Sequence, residues 1–214
     1  MSTNLILYLV ITGVCAYLLG GINGAIIASF NFFKKDIRKF GSGNAGLTNF
    51  ARTFGSNGVV IVIFVDILKT VAAVLIGYWL VGHVANPGYP MIGMMFAGFC
   101  AMLGHVYPVY YRFHGGKAAL CAGTVAFMAD WRVGLICFVV FIVIVVFTKY
   151  VSLASICSCL LMPLTIWAFN YSGLEGLLGF LCALLLIIAH RENIRKLING
   201  TESKLNIGGS GKSG

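Results

Sequence analysis

The sequence predicts an all-α integral membrane protein, a compact bundle of seven transmembrane helices, one of them short. Three observations carry this. The 214 residues are 59% hydrophobic and only 10% charged, with a mean hydropathy of +0.94, whereas a soluble domain is about 25% charged. Apolar runs recur at close to the roughly 20 residues a helix needs to cross the hydrocarbon core. No stretch shows the period-two alternation of a membrane strand.

The elements follow in order. The run at 5–30 lacks a basic leader and is too long for a cleaved signal peptide, so it is the first expected span. Thr12-Gly-Val-Cys15 carries Val where lipoprotein cleavage needs a small residue. Further spans are expected at 58–84 and 91–111, then a short one at 117–129, then 133–149, 151–170 and 174–189. Ser172-Gly-Leu-Glu175 has the capping-box pattern that opens a helix, which gives Glu175 a structural task. Residues 1–205 are expected to form a single transmembrane domain, with 206–214 a flexible tail.

Charge sets the orientation. If 117–129 crosses, the N-terminus lies outside and every Lys and Arg falls on the cytoplasmic side except Arg132, outside, and Lys69, within a span. That is the positive-inside pattern, and the short helix can cross if neighbours shield its ends or the bilayer thins. The net charge of +9 does not indicate nucleic acid, because the basic residues are scattered among apolar spans. The seven cysteines all lie in apolar segments without metal-ligand spacing, so they are expected to be small buried hydrophobes.

Three polar clusters interrupt the apolar chain, and this topology puts all three on one side. The first, 41–52 (GSGNAGLTNFAR), holds Gly41, Gly43 and Gly46, which admit the positive φ angles of an anion-binding nest. Ser42, Asn44, Thr48 and Asn49 add donors, and Arg52 adds a fork matched to phosphate oxygens. The second runs from Gly104-His105 through Pro108 to Gly115-Gly116-Lys117, where the amides of an opening helix and a lysine suit phosphate. His105 reads as a hydrogen-bonded helix residue on the substrate side before it reads as a base. The third is 190–195, where His190 and Asn193 share a helix face. Alternatives for the three are an ordinary solvated loop, a turn, and a basic segment that binds anionic lipid. Ser152 and Ser155 begin the span at 151–170 and either help hold a phosphate or make interhelical hydrogen bonds.

Asp66 and Lys69 lie i, i+3 inside the second expected span. A lone charge at mid-membrane costs about 2.5–3.5 kcal/mol, so a structural ion pair facing the bundle interior is expected. Two patterns are set aside. Gly208-Gly-Ser-Gly-Lys-Ser213 lacks the first glycine of a Walker loop, that position being Asn206. No histidine is followed five residues later by the aspartate that many glycerolipid acyltransferases use.

In order and spacing the clusters resemble the three motifs of the bacterial acyl-phosphate:glycerol-3-phosphate acyltransferase family, PlsY, across nearly the whole chain. GSGNAGLTNFAR is similar to the first motif, GHVYPVYYRFHGGKA (104–118) to the second, and HRENIRKLINGTE (190–202) to the third. The resemblance implies transfer of a fatty acyl group from acyl phosphate to the 1-hydroxyl of glycerol 3-phosphate, giving lysophosphatidic acid and phosphate at a bacterial cytoplasmic membrane. It implies catalytic roles for Ser42, Arg52, Lys117, His190 and Asn193, and substrate contacts at the other polar positions named, Ser155 among them. Neither a metal nor a cofactor is expected. The partners expected are the two substrates and membrane lipids, with no nucleic acid, and the protein is expected to be a monomer. Three residues depart from the family pattern: Ala118 where Gly is usual, Ala45 where Pro or Val is common, and Thr70 where Gly is usual. Ala118 is expected to have helical φ and ψ. No residue reads as a convincing covalent nucleophile, so direct transfer is expected, with His190 or the donor phosphate as base and the resemblance favouring the phosphate. The rival functions are a transporter of organic phosphates and a structural or lipid-binding membrane protein. An internal repeat, expected of a transporter, is absent from the sequence.

Overall fold

The computed structural model describes residues 3–85, 88–169, 171 and 173–205. Its helices are α1 (Thr3–Gly21), α2 (Gly24–Phe33), α3 (Leu47–Phe54), α4 (Val59–Trp79), α5 (Pro90–Val106), α6 (Ala119–Ala129), α7 (Trp131–Thr148), α8 (Val151–Ala168), α9 (Gly173–Ala189) and α10 (Arg191–Ile198). The expected tail at 206–214, with its Walker-like stretch, lies outside the described residues, as does Ser172 of the expected capping box. Glu175 is buried in the first turn of α9.

The expected all-α membrane fold is the observed one, with adjustments. The span expected at 5–30 is two helices. Asn23 accepts the Ile26 N–H at 3.0 Å and so starts a new helix inside the apolar run. The span expected at 58–84 holds, with α4 continued by a π-helical turn at Leu80–Ala85. Five apolar stretches are long enough to cross a bilayer, and α9 joined to α10 across a 62° bend makes a sixth. The remaining one, α6, has 11 residues, about 16 Å of helix against a hydrocarbon core of about 30 Å. Seven is therefore an approximate count, and α6 covers only part of the bilayer's depth.

Helix α5 runs through the centre, and small residues let it. A Cβ on Gly20 would collide with the Ala101 carbonyl, one on Gly104 with the Tyr17 carbonyl, and one on Gly77 with the Gly93 carbonyl. Close approach of this kind is how helices associate where lipid removes the hydrophobic driving force. On the other side of α5 the buried core runs through Met102, Cys121, Val125, Met162, Ile166, Cys182 and Leu186 of α5, α6, α8 and α9.

Each end of the bundle is polar. At one end Asp130 caps α7, accepting from the Arg132 N–H at 2.8 Å, the Arg132 guanidinium at 2.7 Å and the Tyr171 hydroxyl at 2.7 Å. The opposite end gathers the three polar clusters.

Candidate active site at the mouth of an apolar groove

The first cluster is a tight loop leading into α3. Gly41 and Gly43 take positive φ (57° and 72°) as the sequence predicts, while Gly46 is extended at −142° and caps α3. The loop's amides do not form an open anion nest. Ser42 N–H donates to Asn49 Oδ1 at 2.9 Å, Gly43 N–H to the Phe40 carbonyl at 3.0 Å, Ala45 N–H to the Gly115 carbonyl at 3.4 Å and Gly46 N–H to the Asn44 carbonyl at 3.0 Å. Asn49 is buried and gives both of its amide hydrogens to the carbonyls of Phe40 and Asn44. It shapes the loop. The side chains left to meet a ligand are Ser42, Asn44, Thr48 and Arg52, all facing one cavity.

The second cluster folds back on the end of α5. Gly115 and Gly116 donate to the carbonyls of Val106 (3.2 Å) and His105 (3.0 Å). A Cβ on Gly115 would collide with the His105 carbonyl, and one on Gly116 with the His105 ring. These glycines allow the chain to press against α5; their amides are spent there. Lys117 is thereby lifted toward the third cluster, and burial holds its ammonium pKa below the ordinary lysine value, with Glu202 pulling the other way. Ala118 does not have the expected helical angles. Its φ of 60° and ψ of 18° are left-handed, because the chain must turn sharply between the packed glycines and α6.

His105 itself belongs to a buried ionic group. Lys69 Nζ donates to Asp66 Oδ1 at 2.8 Å, to the Ile22 carbonyl at 2.5 Å and to His105 Nδ1 at 2.8 Å. The expected Asp66–Lys69 pair is present, and it gains two partners. The Ile22 carbonyl is available because the chain breaks at Asn23. An ammonium that spends all three hydrogens makes Nδ1 of His105 an acceptor, so its proton is on Nε2. That nitrogen lies against Gly116.

In the third cluster Lys117 Nζ donates to Asn193 Oδ1, and Asn193 Nδ2 to Glu202 Oε1 at 2.8 Å. The same carboxylate oxygen accepts from the Ser152 hydroxyl at 2.6 Å. His190 is buried, and its Nδ1 lies 2.9 Å from the Leu186 carbonyl. A carbonyl only accepts, so the proton is on Nδ1 and the Nε2 lone pair is free to accept. After α10 the chain turns at Gly200 (φ 70°) and crosses the site: Arg52 donates to the Ser203 carbonyl at 2.8 Å and Leu205 N–H to the Lys149 carbonyl at 2.8 Å. Sequence reasoning assigned no role to Glu202. The available signal was its chemistry, one of only six acidic residues, placed at the end of a basic cluster.

Of the residues predicted from sequence, Ser42, Asn44, Gly46, Thr48, Asn49, Arg52, His105, Lys117, Ser155, His190 and Asn193 all line one cavity of about 640 Å³. Gly41, Gly43, Gly115 and Gly116 shape its walls. Away from the cations the cavity becomes an apolar groove. Leu120, Gly123, Thr124 and Phe127 of α6 form one wall and Gly134, Cys137, Phe138 and Phe141 of α7 another. Both sets follow the i, i+3, i+4, i+7 spacing of a single helix face. Ser155, Ser158, Cys159 and Met162 of α8 close the third side, and Ser155 gives its hydrogen to the Val151 carbonyl at 2.9 Å instead of to the cavity.

Fold and site together define a membrane-embedded enzyme class, one whose cationic pocket opens directly into a groove lined by apolar side chains. The comparisons make the class specific. The family model described as Glycerol-3-phosphate acyltransferase matches residues 10–200. A glycerol-3-phosphate acyltransferase of Thermoanaerobacter pseudethanolicus is 40% identical over 93% of this chain and 96% of its own, and one of Finegoldia magna is 35% identical over 93% and 97%. The crystal structure of PlsY (YgiH), an integral membrane glycerol 3-phosphate acyltransferase, in its glycerol 3-phosphate form is similar with a TM-score of 0.81 and 33% identity, covering 92% of this chain and 96% of that one. Its lysophosphatidic acid form gives 0.79 and 32%, covering 92% and 95%. The chain belongs to the PlsY family of integral membrane glycerol-3-phosphate acyltransferases.

Proposed function

We propose that this enzyme takes its acyl group from acyl phosphate, passes it directly to the 1-hydroxyl of glycerol 3-phosphate, and releases lysophosphatidic acid and inorganic phosphate. The observation that carries this is the continuity of one cavity from Arg52, Lys117, His190 and Asn193 to the apolar faces of α6, α7 and α8. A molecule with a phosphate at one end and a hydrocarbon chain at the other matches its cationic and apolar ends. The solved relative's forms with glycerol 3-phosphate and with lysophosphatidic acid agree with the acceptor and the product.

Arg52, Lys117, Ser42, Thr48 and Asn193 hold phosphate oxygens and the acceptor's hydroxyls. The 1-hydroxyl oxygen attacks the acyl carbonyl, the carbonyl carbon–phosphate oxygen bond breaks, and its electron pair leaves with phosphate. The hydroxyl proton goes to the departing phosphate or to His190 Nε2. Acyl phosphate is already an activated anhydride, so the reading calls for no cofactor or metal. Rate enhancement then comes from positioning two anions and stabilising the developing charge with Lys117 and Arg52. Cys137 and Cys159 face the apolar stretch, away from the cations, which favours direct transfer over an acyl-enzyme. All these groups come from one chain, which suits a monomer. The enzyme sits in the bacterial inner membrane with the site and the C-terminus cytoplasmic and the N-terminus outside. A cytosolic acceptor needs that arrangement, and a phosphate site at one end of the bundle argues against a midplane transport site.

The test is purified protein with glycerol 3-phosphate and either palmitoyl phosphate or palmitoyl-CoA. Lysophosphatidic acid and phosphate are expected from the first donor only, and Lys117→Ala abolishes both. Equal use of the thioester rejects the donor assignment. An unchanged kcat for His190→Ala at saturating substrate excludes His190 as the base.

A further inference from the structure

Building on the acyl-phosphate reading, we propose that Gly123 and Phe127, one turn apart on α6, determine the length of acyl chain the groove accepts. Gly123 keeps the passage open and the Phe127 ring ends it.

Gly123 is an unusual residue for its place. A glycine inside a helix is about 1 kcal/mol less favourable than alanine, so it is normally retained for close packing or a special backbone angle. Neither applies here. Gly98 on α5 packs so tightly that a Cβ would come within 2.6 Å of Val125, whereas a Cβ on Gly123 would have nothing within 4 Å. Its φ is not positive, since it is absent from the glycines with left-handed angles. What Gly123 does face is the groove. A side chain there would stand in the path of anything running along α6 from the cations.

Phe127 is four residues further, on the same helix face. A Cβ on Gly134 of α7 would collide with its ring, so α7 presses directly against it, and the Phe138 ring lies 6.3 Å away at 59°. Phe127 and Met128 also line a second cavity of about 530 Å³, whose other walls include Asp130, Arg132 and Tyr171. The two residues are thus the partition between an apolar groove and a charged recess. From Ala119 to Phe127 the helix rises about 12 Å, so the ring stands more than two helical turns along the groove from the cationic end.

The experiment measures kcat/KM for dodecanoyl, palmitoyl, stearoyl and arachidoyl phosphate with the wild type and with Gly123→Leu, Phe127→Ala and Phe127→Leu. Gly123→Leu gains helix propensity, and its Cβ meets no atom within 4 Å. It is expected to lower the palmitoyl-to-dodecanoyl ratio about tenfold, the loss of roughly two seated methylenes. Phe127→Ala joins the groove to the recess and is expected to raise the arachidoyl-to-palmitoyl ratio severalfold, with Phe127→Leu between it and the wild type. If Phe127→Ala does not fold, the other two variants decide. Wild-type activity with an unshifted profile in the folded variants overturns the proposal, because the chain then leaves sideways into lipid. A wild type inactive with every acyl phosphate overturns the donor assignment and this proposal with it.

Discussion

Ala118 links Lys117 to the apolar groove, and it does so in a conformation that suits another residue. Its methyl group is buried at φ 60°, where an L side chain costs about 1–2 kcal/mol and glycine nothing. Glycine gives back part of that through the greater entropy of the unfolded chain, about 0.4–1 kcal/mol. Ala118→Gly is therefore expected to raise the thermal unfolding midpoint in detergent, by a net stabilisation of up to about 1.6 kcal/mol, while kcat/KM for glycerol 3-phosphate is retained. A lower midpoint would mean that the methyl's packing outweighs the strain. The position's identity was legible in the sequence as a departure from the family motif. Its backbone was not, because alanine's own preference is helical and the left-handed turn is imposed by two glycines docking on a helix elsewhere in the chain. Asn49 teaches the same lesson. Its residue type suggested a ligand donor, but both of its hydrogens belong to the loop.

Among the elements, the junction of α1, α2, α4 and α5 depends on one ammonium group. Lys69 ties α4 to the broken end of α1 through Ile22, to α5 through His105, and to Asp66 one turn away. Asp66 in turn accepts from Gly24 N–H at 3.2 Å, the first residue of α2. Removing one member of a buried pair strands the other charge and costs about 3–5 kcal/mol. Lys69→Met is expected to lower the unfolding midpoint sharply, and Asp66→Asn combined with Lys69→Met to recover part of the loss. A double variant as unstable as the sum of the single ones would show that the pair contributes no coupling. The i, i+3 spacing revealed this pair in the sequence. The break at Asn23 and the third and fourth partners were hidden, since hydropathy sees an uninterrupted apolar run from 5 to 30 and long-range partners leave no local signal.

At the scale of the whole molecule, three segments far apart in sequence meet at one end of the bundle: Ala45 bonds to Gly115, Lys117 to Asn193, and Arg52 to Ser203. The Asp130–Arg132–Tyr171 cap lies at the other end of α6 and α7. This placement fixes what any orientation in the membrane must satisfy. Lys35, after α2, and Arg191, at the start of α10, belong to one side and Trp131 to the other. Positive charge crowds the first side, so that side is expected to be cytoplasmic, where a water-soluble acceptor arrives. Single cysteines at these exposed positions test it, because the natural cysteines lie in apolar helices. In intact cells an impermeant maleimide is expected to label Trp131→Cys only, and Lys35→Cys and Arg191→Cys only after the membrane is opened. Labelling of Lys35→Cys and Arg191→Cys from opposite sides would be incompatible with Lys117 reaching Asn193, and the three polar clusters would then have no shared mouth.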